Sequence, residues 1–175
     1  MVEIRDQVEG LVELKEKMDI IELQHRYVRS VDEKDWKTSV ELFHPDAKLY
    51  LIDAGKKRLL GNKTEIETFY RGIAEKDFIF SRHFITNYTV EVHGNTAFFK
   101  SYYNGTYIHD QFTWIILGRY DDKMIKENGQ WKVMEKEIDH GWNDFLIPLK
   151  DLKLKKEAVK EARKKLLIIV GQMVD

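Results

Sequence analysis

The chain has 175 residues, 43 % of them apolar and 34 % charged, which suits one domain with an ordinary core. Phe, Tyr and Trp make up 12 % and there are only two prolines, so a disordered polymer is excluded. A net charge of −1 argues against a nucleic-acid partner, and the absence of cysteine removes disulfides, cysteine-zinc sites and cysteine nucleophiles together.

Charged residues come at once (Glu3, Arg5, Asp6), and no apolar run nears the roughly 20 residues of a membrane span. A soluble cytoplasmic protein with no membrane partner is the expectation. Residues 6–32 read as one long helix. Leu11, Leu14, Met18, Ile21, His25, Val28 and Asp32 recur at three- and four-residue steps, and Ile20, Tyr27 and Val31 widen the stripe. A short helix is expected over 35–42, capped by Asp35 and anchored by Trp36. His44, Pro45 and Asp46 break the chain before a strand at 48–52 and a hairpin turn at 53–56. Thr64, with Glu67 three residues on, fits a capping box for a helix over 62–74.

From Arg82 the period becomes that of strands. The stretches 83–92, 96–108, 112–121 and 130–140 are rich in β-branched and aromatic residues, with hairpin turns at 93–95 and 127–129. After Pro148, residues 149–170 read as a final amphipathic helix, an extension of a single domain covering 1–175. Helices followed by strands predict an α+β fold, its helices on one face of a curved, mostly antiparallel sheet. Such a sheet makes a cone with an apolar pocket inside.

Asp32 continues the apolar stripe, and a buried carboxylate needs a partner there; ending the helix is its plainer role. His83 opens a strand. Alternation puts His83, Ile85 and Asn87 on one face and Phe84, Thr86 and Tyr88 on the other. Val90 and Val92 continue the second face, so the inner face is open, and a bulge would reset it. Tyr103 and Tyr107 share a face, with Asn104 opposite. Tyr50, Trp114 and His140 are further candidates for the pocket wall. His25 reads as a packing histidine, and His44 and His93 as solvated turn residues. No two histidines stand at metal-ligand spacing, and Glu135, Glu137 and Asp139 read as a solvated ladder, so no metal is expected. There is no glycine-rich phosphate loop and no dinucleotide fingerprint. Residues 150–165 hold eight basic and three acidic side chains. Leu152, Leu166 and Ile169 need a partner, in their own domain or a neighbouring subunit.

Several segments, in order, resemble the SnoaL-like branch of the nuclear transport factor 2-like superfamily. They are 27–36 (Tyr27 to Trp36), 42–47 (Leu42 to Ala47), 82–84, 94–97, 118–121 and 128–133, together spanning roughly residues 10–145. Within that branch the likeness is nearest to the scytalone dehydratase, bile acid 7α-dehydratase and hexachlorocyclohexane dehydrochlorinase families. Those are cofactor-free eliminating enzymes with an Asp–His dyad, which falls on Asp32 and His83. The tyrosine five residues before the aspartate matches Tyr27. Two positions depart: the pocket arginine of the bile acid enzymes falls near His140, and the second histidine of scytalone dehydratase near Thr106 or Tyr107.

The resemblance implies a cofactor-independent lyase, a dehydratase or isomerase, acting on a small hydrophobic cyclic ketone such as a steroid or polyketide. His83 would be the base and Asp32 its orienting partner, with Tyr27 as electrophilic helper. Tyr50, Asn87, Tyr103, Tyr107, Trp114 and His140 would contact substrate. A homodimer or homotrimer is also implied. Two other readings stay open: an apolar-ligand-binding domain without chemistry, and the small structural subunit of a ring-hydroxylating dioxygenase.

Overall fold

A computed structural model describes residues 2–53, 55–74, 78–110, 112–146 and 160. The expected helix over 149–170 lies outside the described residues, Lys160 apart.

The elements run α1 (Val2–Asp32), α2 (Trp36–Glu41), β1 (Phe43–Asp53), β2 (Lys56–Asn62), α3 (Lys63–Ala74), β3 (Phe80–His93), β4 (Thr96–Ile108), β5 (Thr113–Glu127) and β6 (Gln130–Leu146). One six-stranded sheet takes the order β2-β1-β6-β5-β4-β3. Every pairing is antiparallel except β1 with β6. The architecture is α+β, with helices leading into a curved, unclosed sheet. The long strands β3 to β6 follow one another as hairpins, and Asn128 and Gly129, both at positive φ, make the two-residue turn between β5 and β6.

The helix α1 buries Ile20, Leu23, Gln24, Tyr27, Val28 and Val31 against the inner face of the sheet. This corrects the expected stripe. Leu11, Leu14 and Met18 are exposed, as is His25, which meets Tyr88 edge-on instead of packing inside. The cause is geometric: the first turns run past the domain, so only the second half of the helix has a sheet to cover.

Three local expectations also change. Pro45 does not break the chain but sits inside β1, where the pairing with β6 is interrupted between Phe43 and Lys48; a proline has no N–H for the ladder. His44 is buried, its Nδ1 accepting from Asp46 N at 3.1 Å and its Nε2 standing 3.3 Å from Glu127. The cap of α3 is Asn62, whose Oδ1 accepts from Thr64 N at 3.1 Å, while Glu65 reaches back to Asn62 N at 2.7 Å. The reciprocal pair is therefore Asn62 and Glu65, two residues earlier than expected, and Glu67 pairs with Arg71.

Beneath the apolar core lies an ion pair. Lys136 and Asp122 are fully buried and meet at 2.7 Å, and Gln24 donates to Asp122 at 2.8 Å. The Lys136 ammonium also stands 4.2 Å from the Tyr27 ring centre and 4.0 Å from that of Tyr120. Burial pushes the Asp122 carboxyl up and the Lys136 ammonium down, so each depends on the other for its charge. Removing one partner strands the other. Asp122→Ala should cost about 3–5 kcal/mol in urea unfolding, and Asp122→Leu combined with Lys136→Met should recover most of that loss.

Candidate active site

The last residue of α1 and the start of β3 meet at one carboxylate. Asp32 Oδ1 accepts from His83 Nδ1 at 2.7 Å and from Ser81 Oγ at 3.1 Å, and Oδ2 accepts from the His83 backbone N–H at 2.9 Å. Both side chains are nearly closed off from solvent, with 5 % of Asp32 and 4 % of His83 exposed. Burial raises the carboxyl pKa, but the hydrogen bonds from His83 and Ser81, with the electrostatic pull of the imidazole, outweigh it and hold Asp32 below the ordinary value. An ionised carboxylate only accepts, so the proton between them belongs to His83 Nδ1.

In the neutral ring the other nitrogen is an acceptor, and Tyr107 Oη lies 2.8 Å from it. Burial and the nearby Asp32 charge push the Tyr107 phenol well up, so it keeps its proton and can donate it to the neutral His83 ring at Nε2. The result is a chain of three groups, Tyr107 to His83 to Asp32, oriented in one direction.

This chain opens on a cavity of about 50 Å³ between the helices and the sheet. Its wall includes His83, Tyr103, Tyr107, Trp114 and His140 of the expected set, with Tyr27 on the helix side. Tyr70, Tyr120 and Phe69 complete an aromatic lining. Tyr103 stacks on Tyr120 at 4.4 Å, and this needs Gly118: a Cβ there would stand 2.1 Å from the Asp139 carbonyl oxygen and 2.5 Å from the Tyr103 ring. Two wall groups, Tyr103 Oη and Trp114 Nε1, are buried with no hydrogen-bond partner among the described residues. Tyr27 makes no bond to the Asp32–His83 pair; its hydroxyl is hydrogen-bonded to that of Tyr70. A hydroxyl pair shares one proton in the bond and keeps the second for another acceptor.

The structure does not bring Tyr50 and Asn87 to this cavity. Tyr50 lies half-buried on β1 beneath the Lys57 ammonium, 4.3 Å from its ring centre. Asn87 is exposed with φ 51°, inside the irregularity between Thr86 and Thr89. That irregularity resets the strand: His83 and Ile85 face inward before it, and Val90 and Val92 after it. Glu135, Glu137 and Asp139 pair with Lys123, Lys57 and Arg119 across the outer face.

Three contributors had no place in the sequence reading. Ser81 is visible only as a polar neighbour two residues before His83. Tyr70 shares the buried face of α3 with Ile66 and Phe69, a spacing that was legible. Lys136 sits among charged residues and turns inward because the pairing of β5 with β6 slips between Lys123 and Met124. Among the described residues no three His, Asp or Glu side chains are grouped to hold a metal ion, and no helix is long and apolar enough to cross a membrane.

A helix-covered curved sheet with a buried Asp–His pair facing an aromatic cavity defines a cone-shaped pocket protein. The SnoaL-like domain model matches residues 12–137, and the chain belongs to that family. A provisionally assigned scytalone dehydratase from Novosphingobium aromaticivorans superposes with a TM-score of 0.67 at 19 % identity, over 78 % of this chain and 95 % of that one. The hexachlorocyclohexane dehydrochlorinase LinA-type3 from Novosphingobium barchaimii gives 0.67 at 14 % identity, over 78 % and 94 %. A protein of unknown function from Mycobacterium tuberculosis gives 0.65 at 22 %, over 92 % and 88 %. These likenesses share the fold. No curated protein matches the chain.

His140 gives the cavity a pH signature. Burial drives its imidazole from 6.5 down to about 4, against the pull of Asp53 and Asp139. Only the unfolded chain takes this proton readily. The His140 contribution to stability is therefore full above pH 6.5 and shrinks as pH falls from there toward about 4. The His140 ring shifts in an NMR titration should stay those of the neutral form at about pH 5, and His140→Phe should flatten the stability profile between pH 6.5 and 4.

Proposed function

We propose that the chain is a cofactor-independent lyase that eliminates water from, or isomerises, a small cyclic ketone. The hydrogen-bonded series Asp32–His83–Tyr107 at the wall of an aromatic cavity carries this reading. Elimination beside a carbonyl needs a base for a C–H proton, a donor for the developing enolate and an acid for the leaving group. His83 Nε2, with Nδ1 anchored on Asp32, is the base. As it takes the proton, the imidazolium is stabilised by the carboxylate beside it.

The two unpartnered donors suit the second role. A buried N–H or O–H without an acceptor costs about 1–3 kcal/mol, and a substrate carbonyl oxygen placed between Tyr103 Oη and Trp114 Nε1 would remove that cost. The spare proton of the Tyr27–Tyr70 pair provides a further donor. Tyr107 stands beside the base, suited to give its proton to a leaving hydroxyl and to recover it from His83, which returns both groups to their starting state.

The present cavity of about 50 Å³ holds a few water molecules, so a ring-bearing substrate enters by parting the aromatic walls. The chemical families of the two similar enzymes, one a provisional dehydratase and one a dehydrochlorinase, support an elimination. His83→Ala should abolish loss of water from a panel of cyclic β-hydroxy ketones followed by mass spectrometry, with an unchanged circular dichroism spectrum. Tyr107→Phe should lower turnover by roughly 10²-fold, as loss of one proton-transfer group does. Normal turnover by His83→Ala would overturn the assignment. Compounds retained but unchanged by the wild type would point to a binding domain.

A further inference from the structure

Gly105 stands where a glycine is least expected. It lies in the interior of β4, a central strand flanked by β3 and β5. Its φ is outside the left-handed region, so the backbone there suits any residue. Glycine weakens a strand interior, and Asn104 with Gly105 is a pair that ordinarily turns a hairpin. Local backbone geometry therefore does not account for the missing side chain.

The register of the strands does. Across β3 and β4, Gly105 is opposite His83, and Tyr107 is opposite Ser81. Tyr107 reaches His83 on a diagonal, and that diagonal crosses position 105. The rings take the space that a side chain would fill. A Cβ on Gly105 would stand 3.2 Å from Tyr107 Cε2, 3.4 Å from Tyr103 Cε2 and 3.5 Å from His83 Cδ2. Tyr107 Cε2 is bonded to the carbon that carries the hydroxyl, and His83 Cδ2 is bonded to Nε2. A methyl group at 105 would thus press on both ends of the 2.8 Å contact between Tyr107 Oη and His83 Nε2.

Neither ring has free room to give way. Phe78 and Trp114 pack on Tyr107, each with its ring centre 5.1 Å away. The imidazole is held on Asp32 through Nδ1. The tightest of the three contacts, 3.2 Å, is with the tyrosine. Relieving it carries the hydroxyl away from position 105, and so away from the histidine opposite.

We propose that Gly105 is a positioning residue: its lack of a side chain lets the Tyr107 hydroxyl meet His83 Nε2. Its effect on turnover rests on the proposed elimination; the placement of Tyr107 does not.

Nitrogen-15 NMR of the full-length, histidine-labelled protein tests the placement without a substrate. It is run at about pH 8, where an imidazole is ordinarily neutral. Accepting a hydrogen bond moves the resonance of an unprotonated ring nitrogen upfield, so Tyr107→Phe should move His83 Nε2 downfield of its wild-type position. Gly105→Val should give the same shift and Gly105→Ala a smaller one in the same direction. The Nδ1–H signal of the bond to Asp32 should persist in all three. In turnover of a cyclic β-hydroxy ketone, Gly105→Val should cost roughly 10²-fold, to the level of Tyr107→Phe. Added to Tyr107→Phe, it should cost less than about threefold more, because both act on one contact.

The proposal is overturned if Nε2 keeps its wild-type resonance in Gly105→Val, or in Gly105→Ala where the valine variant does not fold. Loss of the Nδ1–H signal together with the Nε2 shift would overturn it too, as would an equal cost of Gly105→Val with and without the Tyr107 hydroxyl. Normal turnover by His83→Ala, with the nitrogen shifts as expected, would sink the elimination and uphold the placement.

Discussion

The carboxylate of Asp32 joins the two halves of the fold. It ends the long helix, and it accepts a backbone donor, a hydroxyl and a ring nitrogen from two nearby residues of β3. Three charge-assisted bonds to one strand fix where the helix ends against the sheet edge. The same bonds decide which nitrogen of His83 carries the proton and so which one faces the cavity. Position and chemistry thus depend on a single group, and the ionised state of that group depends on the donors around it.

A second polar cluster works from behind the wall. Lys136, Asp122 and Gln24 are buried together, and the ammonium rests against the Tyr27 and Tyr120 rings. Rings held by a buried cation are costly to tilt, because tilting one removes a contact of an ammonium whose other partners among the described residues are Asp122 and Gln24. Asp122 itself keeps one oxygen without a hydrogen-bond partner among the described residues. The cavity therefore has a floor of packed tyrosines beneath the Asp32–His83 pair.

Much of this was legible in the sequence, and the reasons differ by element. The strands of the meander were readable because β-branched and aromatic runs are separated by turn residues whose backbone needs, as at Asn128 and Gly129, are local. Asp32 and His83 were readable through the family motif, since their proximity is a matter of tertiary structure, 51 positions apart in the chain. The inner face of β3 was not readable from alternation. One irregularity at Asn87 shifts the phase, and nothing local announces it. The buried half of α1 is not separable in the sequence from its exposed half, which is equally apolar; periodicity reports a stripe but not whether a sheet lies beneath it. Tyr107 was legible as sharing a face with Tyr103, yet its bond to His83 depends on the register of β4 against β3.

The enclosed volume at the centre of the cone has a kinetic meaning. The cavity of about 50 Å³ among the described residues is smaller than a ring compound. On the proposed function, entry would wait on a breathing motion of the walls. At high ligand concentration the observed association rate would then level off at the frequency of that opening. Mutations in the tyrosine floor that leave Asp32, His83 and Tyr107 untouched would alter that rate by changing how often the door is ajar.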